Sequence, residues 1–293
     1  MRRLGVLCAF VSAAATMLPV LAAAQMTDQK SGTTPPPKII SIGREEIKHG
    51  KGAAHEKNEA AWTQALIRAK ASATFLAADS VTGPSQVLWI SGFPSFAAYE
   101  ADFKEENNTP AIASVNMQYG ASEADDVGED SNMLATYRED LSYGAPVAIG
   151  QYRYFTIRTT RVRLGHNADF AELLKTVNEY RQANNINTHV AVYQVISGGA
   201  GGTFLTFTPR KSLAEMDTTN PMPPDVQKKV NELVEKAVAG YSDAIYAFNP
   251  KVSKPSEEIA AADPTFWKPK VTMAKTILPA ADTKPVAKKE NKP

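Results

Sequence analysis

Cysteine is nearly absent from this chain. Its only copy, Cys8, lies in the first ten residues. From Gln25 onward there is no disulfide, no thiolate nucleophile and no Cys metal ligand to consider. Histidine is scarce too, with four copies, His49, His55, His166 and His189. None of them has H-E-x-x-H or another metal-binding spacing, so the pattern identifies no metal and no haem axial ligand. No Ser stands in a G-x-S-x-G elbow, which leaves a triad hydrolase without support. The glycine run Gly198–Gly202 contains no following Lys-Ser/Thr and joins two strand-like runs, so it is not a phosphate loop. No motif asks for a cofactor. After Leu21 no apolar run is long enough to span a bilayer.

What is present begins with a leader. Met1-Arg2-Arg3 precedes an apolar stretch to Leu21 and the small residues Ala22-Ala23-Ala24. These are the parts of a secretory signal peptide over residues 1–24, with a retained membrane anchor as the other reading. The chain is therefore expected in the periplasm or outside the cell, with no membrane span in its mature form. Residues 25–38 contain Pro35-Pro36-Pro37 and read as a Pro-rich spacer. Residues 254–293 are rich in Pro, Ala and Lys and read as a largely disordered tail, in which Phe266-Trp267 and Ile277-Leu278 are expected to touch the body.

The whole chain carries +1, and loss of Arg2 and Arg3 would leave −1. From Lys251 onward nine Lys face five acidic residues, so the body before it is mildly acidic. Nucleic acid is a poor partner for such a body, because phosphate binding needs clustered Lys and Arg. The basic end could instead reach an envelope partner.

Between these ends one pattern occurs twice. Ile42–Gly50 is followed by helical spacing at Trp62, Ala65, Leu66 and Ala69, then by two short strand-like runs around Thr82-Gly83-Pro84-Ser85. Ile157–Gly165 repeats the first stretch 115 residues later, and Phe204–Thr208 matches Val87–Ser91. An aromatic helix is expected from Phe96, capped by Ser95, and a later one from Pro223-Pro224-Asp225. A strand is expected over Met133–Leu141, and Glu123-Ala124-Asp125-Asp126 reads as a solvated acidic loop. The predicted fold is α+β: two tandem ferredoxin-like βαββαβ repeats, residues 39–145 and 146–253.

This element order resembles the dimeric α/β-barrel superfamily, with the usual two subunits joined in one chain. The segment Gly50-Lys51-Gly52-Ala53-Ala54-His55-Glu56 leading to Trp62 looks most like NIPSNAP-type and antibiotic-biosynthesis-monooxygenase-type domains. The resemblance implies a barrel with helices outside. It leaves chemistry open, because such families include cofactor-free oxygenases, isomerases, haem enzymes and proteins of no known activity.

Five residues are candidates for lining a ligand pocket. His55 enters its helix where the second copy has Phe170, and is either a base or ligand at a pocket mouth or a partly solvated helix-entry side chain. His189 opens a strand and either reaches an inner cavity or packs. Trp62 and Trp89 are pocket lining or core. Arg161 is an anion ligand or the partner of Glu46 in a salt bridge between copies. The functional expectation is a small apolar or anionic molecule, bound or transformed in a barrel-associated cavity. The alternative is a non-catalytic envelope module.

Overall fold

The computed structural model describes residues 33–268. The expected leader and the last part of the tail, including Ile277-Leu278, lie outside the described residues. Among the described residues no helix is long and apolar enough to cross a membrane.

Eight strands close into a barrel. The first half comprises β1 (Ile39–Ile47), α1 (Gly52–Arg68), β2 (Leu76–Ser80), β3 (Gln86–Phe93), α2 (Phe96–Asn108), α3 (Pro110–Glu123) and β4 (Val127–Tyr137). The second comprises β5 (Tyr154–Val162), α4 (Asn167–Ala183), β6 (Ala191–Ser197), β7 (Thr203–Arg210), α5 (Pro224–Ala237) and β8 (Val238–Phe248). Two short helices follow, α6 (Glu257–Ala262) and α7 (Pro264–Trp267). The ring runs β1-β3-β2-β8-β5-β7-β6-β4, and every pairing is antiparallel. The strands of the two halves therefore follow the same spatial order, β4-β1-β3-β2 and β8-β5-β7-β6.

Alternation along each strand divides the side chains between two environments. Ile40 and Ile42 of β1, Leu88 of β3, Phe155 and Ile157 of β5, and Leu205 of β7 point into the barrel and form its core. Burying each such side chain contributes on the order of 2 kcal/mol. The opposite faces meet the helices: Phe170 and Leu173 of α4 pack on Val192 and Phe204, while Leu66 of α1 packs with Phe75 and Ile112.

Helix ends follow local chemistry. Ser95 Oγ accepts from Ala98 N at the start of α2, and prolines occupy the first turns of α3 and α5. The second half has only a short 3₁₀ turn, Leu213–Asp217, where the first has α2.

Four local expectations change. β4 starts at Val127 and ends at Tyr137, and Glu139–Leu141 is a 3₁₀ turn, because Arg138 N leaves β1 to bond Val192 O. Glu123 and Asp126 are buried, not solvated. The Pro-rich stretch is not a bare spacer. Lys38 O accepts from Tyr137 N, Pro37 O accepts from the Tyr193 hydroxyl, and the Pro37 ring lies so close to Gly92 that a Cβ there would come within 2.7 Å of it. The tail is built into the body as far as residue 268. Phe75 and Lys254 exchange backbone hydrogen bonds, and buried Trp267 donates to Gly150 O at 2.8 Å.

The seam between β4 and β6 has a register shift beside Leu134 and ends at Gly198, whose φ is +74°. A Cβ there would lie 2.0 Å from Asn132 O, whereas one on Gly201 in the same loop would meet nothing within 4 Å. Gly198→Ala is therefore expected to destabilise the fold by about 2–4 kcal/mol, while Gly201→Ala stays within about 0.5 kcal/mol of wild type. Urea unfolding of the two variants checks this contrast.

Candidate functional site

Two features hold concentrated chemistry, and they lie on different faces of the sheet. The first is a cavity of about 540 Å³ at one end of the barrel. Its inner wall is apolar, formed by Ile40, Ile90, Phe155, Phe207 and Phe248, with Tyr193 beside them. Thr34–Pro37 and α6 form its outer rim, tied together by a hydrogen bond from the Thr34 hydroxyl to Glu258. His189 lines this cavity, and its Nδ1 is buried without a hydrogen-bond partner. Burial lowers its pKa, with backbone hydrogen bonding at Ala145 and Gly144 acting in the opposite direction. The ring is therefore neutral at physiological pH.

The second feature is a polar cluster between the sheet and α1 and α3. Helical spacing puts His55, Glu59, Thr63 and Leu66 on the buried face of α1. Glu45 comes from the outward face of β1, and Glu123 from the last turn of α3. His55 Nε2 lies 3.1 Å from Glu45 Oε2 and 3.3 Å from Glu123 Oε2, and His55 Nδ1 lies 3.1 Å from Glu59 Oε1. His55 and Glu59 are each 1% exposed and Glu123 is 4% exposed. Only the Glu45 side chain, 18% exposed, reaches solvent appreciably.

Further donors converge on Glu45. Trp89 Nε1 donates to Glu45 Oε2 at 2.9 Å, and the Tyr119 hydroxyl donates to the same oxygen at 3.3 Å. Gly43 pairs with Trp89 across the strands and offers no side chain, so the indole lies over its backbone. Trp62 stacks on Phe75 and Tyr119 at 5.1 and 4.9 Å and meets the edge of Trp89. At the rim, Lys51 pairs with buried Asp126 at 2.9 Å, and Asn58 donates to Asp126.

Buried charge sets the electrostatics. Burial alone would lower the His55 pKa, but hydrogen bonds to Glu45 and Glu59 and the charges of Glu59 and Glu123 outweigh it and raise it to about 10. Burial raises Glu59 to about 7 against the His55 interactions, and raises Glu123 as well. The Tyr119 hydroxyl is pushed far up by burial and by the surrounding carboxylates, so it acts only as a neutral donor. One imidazole among three carboxylates forms a site that takes up positive charge, as protons or as a cation.

The structure thus separates the five sequence candidates. His189 alone lines the barrel cavity. His55, Trp62 and Trp89 come together in the cluster, and His55 is fully buried, not a partly solvated helix-entry side chain. Arg161 joins neither. It and Glu46 are exposed, on strands that do not adjoin, so the Glu46–Arg161 salt bridge does not form. Glu45, Glu59, Glu123 and Tyr119 were not candidates from sequence. The available signal was His55 and Glu59 at i and i+4 on the face that also carries Leu66. In the second half Phe170, the residue aligned with His55, packs on Phe204 at 4.8 Å in an apolar layer.

No protein-family model matches the chain, and no curated protein matches its sequence. Solved structures do. An anthrone oxidase-like protein superposes with a TM-score of 0.51 at 12% identity, over 74% of this chain and 93% of its own. This chain has the dimeric α/β-barrel fold. A monooxygenase-like protein from Lactobacillus acidophilus NCFM gives a TM-score of 0.46 at 10% identity, over 73% of this chain and 94% of its own. A mutant chlorite dismutase from Candidatus Nitrospira defluvii gives 0.46 at 6% identity, over 78% and 97%. At these identities the likeness concerns the dimeric α/β barrel and not the chemistry performed in it.

Protonation of the cluster makes its contribution to stability depend on pH. The folded-state pKa of Glu59, about 7, lies above its ordinary 4.5. Its contribution is complete below about pH 4.5 and is lost as pH rises through about 7. His55, raised from 6.5 to about 10, acts in the same direction at higher pH. In chelator-containing buffer the Tm advantage of wild type over Glu59→Gln should therefore shrink between about pH 5 and pH 8. Thermal melts by circular dichroism read this out. An advantage that grows with pH would contradict the assignment.

Proposed function

We propose that this chain binds a small, largely apolar molecule in the cavity at the end of its barrel. The observation that carries this reading is the cavity itself. Its volume of about 540 Å³ lies in the usual range for small-molecule sites, and its wall is apolar with a few polar groups at fixed points. His189 offers a neutral imidazole on the inner wall, and Glu258 a carboxylate at the rim. This arrangement fits an apolar ligand with one hydrogen-bonding group better than a fully anionic one, because the wall is mostly apolar, Arg161 is not in it, and the lining cation Lys38 is matched by the carboxylate of Glu258. Whether the bound molecule is also transformed depends on His189, the group of the inner wall that could accept a proton.

The wider setting belongs to the same proposal. Residues 1–24 support export, which would place ligand capture in the periplasm or outside the cell. The two halves are taken as copies of one βαββαβ unit, supported by their shared strand order and the 115-residue correspondence between Ile42 and Ile157. Support for a NIPSNAP-type or antibiotic-biosynthesis-monooxygenase-type assignment is the Gly50–Glu56 entry to α1. The anthrone oxidase-like neighbour agrees with a small-molecule function and fixes no substrate for this chain.

Titration with an environment-sensitive apolar fluorophore such as N-phenyl-1-naphthylamine tests the cavity. Ala191 is buried and lines it, so Ala191→Phe fills part of its volume. Wild type should bind the dye, and the filled variant should bind at least about 10-fold more weakly, equivalent to about 1.4 kcal/mol. Equal binding by a folded Ala191→Phe protein would contradict the proposal.

A further inference from the structure

The cluster between β1, α1 and α3 concentrates more negative charge than its one imidazole balances, unless its carboxylates take up protons or a cation. Three carboxylates surround one imidazole, and two of the three, Glu59 and Glu123, are almost completely buried. Even with His55 protonated, ionised carboxylates would leave an excess of two negative charges in a layer where each uncompensated charge costs several kcal/mol. The hydrogen bonding is incomplete as well. Neither oxygen of Glu123 makes a hydrogen bond of good geometry, although His55 Nε2 lies 3.3 Å from Oε2, and Glu59 Oε1 makes none either. A buried carboxylate at the end of a helix, with neither oxygen well hydrogen-bonded, is a strong acceptor for added positive charge.

We propose that this cluster is a binding site for one divalent first-row transition cation, held by His55 Nε2 and the carboxylates of Glu45 and Glu123. Ligand atoms of Glu45, His55 and Glu59 lie within 4.8 Å of one another, and Glu123 approaches the same Nε2 from α3, so a small side-chain adjustment brings it onto the ion. The separations of 3.1 and 3.3 Å from Nε2 to the two carboxylate oxygens are hydrogen-bonding distances that also match the edges left by bonds of about 2.1 Å meeting at roughly 95–105°. Glu59 takes the supporting position. Its Oε1 lies 3.1 Å from Nδ1, near enough to take that nitrogen's proton after a small rotation, which would leave Nε2 free for the ion and make the imidazole a stronger donor. Trp89 and Tyr119 hold Glu45 in turn through their hydrogen bonds. One imidazole nitrogen with carboxylate oxygens suits Mn²⁺, Fe²⁺, Co²⁺ or Zn²⁺. Ca²⁺ wants six to eight oxygens and Cu⁺ wants sulfur.

Two further features agree. The partly exposed Glu45 gives the ion a way in and leaves room for water to complete its coordination. The second half supplies an internal comparison. Its helix–sheet layer is filled by Phe170, Leu173 and Phe204, so the barrel does not require a charged cluster there. This site is separate from the barrel cavity, and either assignment can fail without the other.

Isothermal titration of the chelator-treated full chain with Mn²⁺, Co²⁺ and Zn²⁺ is the test, with bound metal counted by elemental analysis. One ion per chain is expected. Glu45→Gln and Glu123→Gln should each weaken binding by at least about 100-fold, and Glu59→Gln by about 10–100-fold. Replacing the exposed Glu129 by Gln should change nothing. The ion should also raise the Tm of wild type, an effect lost in Glu123→Gln. If a ligand variant does not fold, stoichiometric binding by wild type with weakened binding by Glu59→Gln still supports the site. Folded wild type that takes up none of the three ions at millimolar concentration overturns the proposal, as does binding unchanged in both Glu45→Gln and Glu123→Gln.

Discussion

Closure of the sheet is the constraint on which the rest of this molecule depends. Eight strands in one ring leave no open edge, and they create one inside and one outside. Two short seams complete the ring. Ala78–Ser80 pairs with Tyr246–Phe248, and Leu134–Tyr137 pairs with Tyr193–Ser197. Side-chain alternation then commits every second residue to the barrel interior and the others to a helix-covered layer. A one-residue slip at either seam would exchange the two sets. The glycine at Gly198 lets the second seam end without a clash.

The inside and the outside have been used differently. Aromatic and branched side chains fill the barrel except at one end, where a cavity remains beneath the Pro35–Pro37 segment and α6. The outside differs between the halves. Over β5–β8 the helix layer is packed by Phe170, Leu173 and Phe204. Over β1–β4 it contains an imidazole and three carboxylates. Burying these groups opposes folding unless positive charge enters with them. The first half thus gives up stability that the second half retains, as is common where a fold carries a site.

Much of the scaffold was legible in the sequence because its signals are local. Period-two alternation at Ile40 and Ile42, the hairpin residues Thr82–Ser85, and the cap at Ser95 each depend on a few neighbouring residues. The site was not legible in the same way. Glu45, His55, Glu59 and Glu123 span nearly 80 positions, and only topology brings the strand, the first helix and the third helix together. Glu123 and Asp126 read as part of a surface loop because composition favours solvation, and their burial depends on α1 covering them. Averaging over composition also concealed the ordered part of the tail. Contact by Trp267 is expected from the sequence and is found, but the backbone pairing at Lys254 and the two short helices that follow it were hidden by the many Lys and Pro residues. Arg161 failed as a candidate for a topological reason, since β1 and β5 are not neighbours in the ring.

The central claim is that the first half carries chemistry its counterpart does not, centred on His55. Crystals of the full chain grown with Mn²⁺ and measured for anomalous scattering test it most directly. One anomalous peak is expected within about 2.3 Å of His55 Nε2 and of carboxylate oxygens from Glu45 and Glu123, with Glu59 on Nδ1 and no peak beside Phe170. An empty cluster in which His55 contacts only the three carboxylates would contradict it.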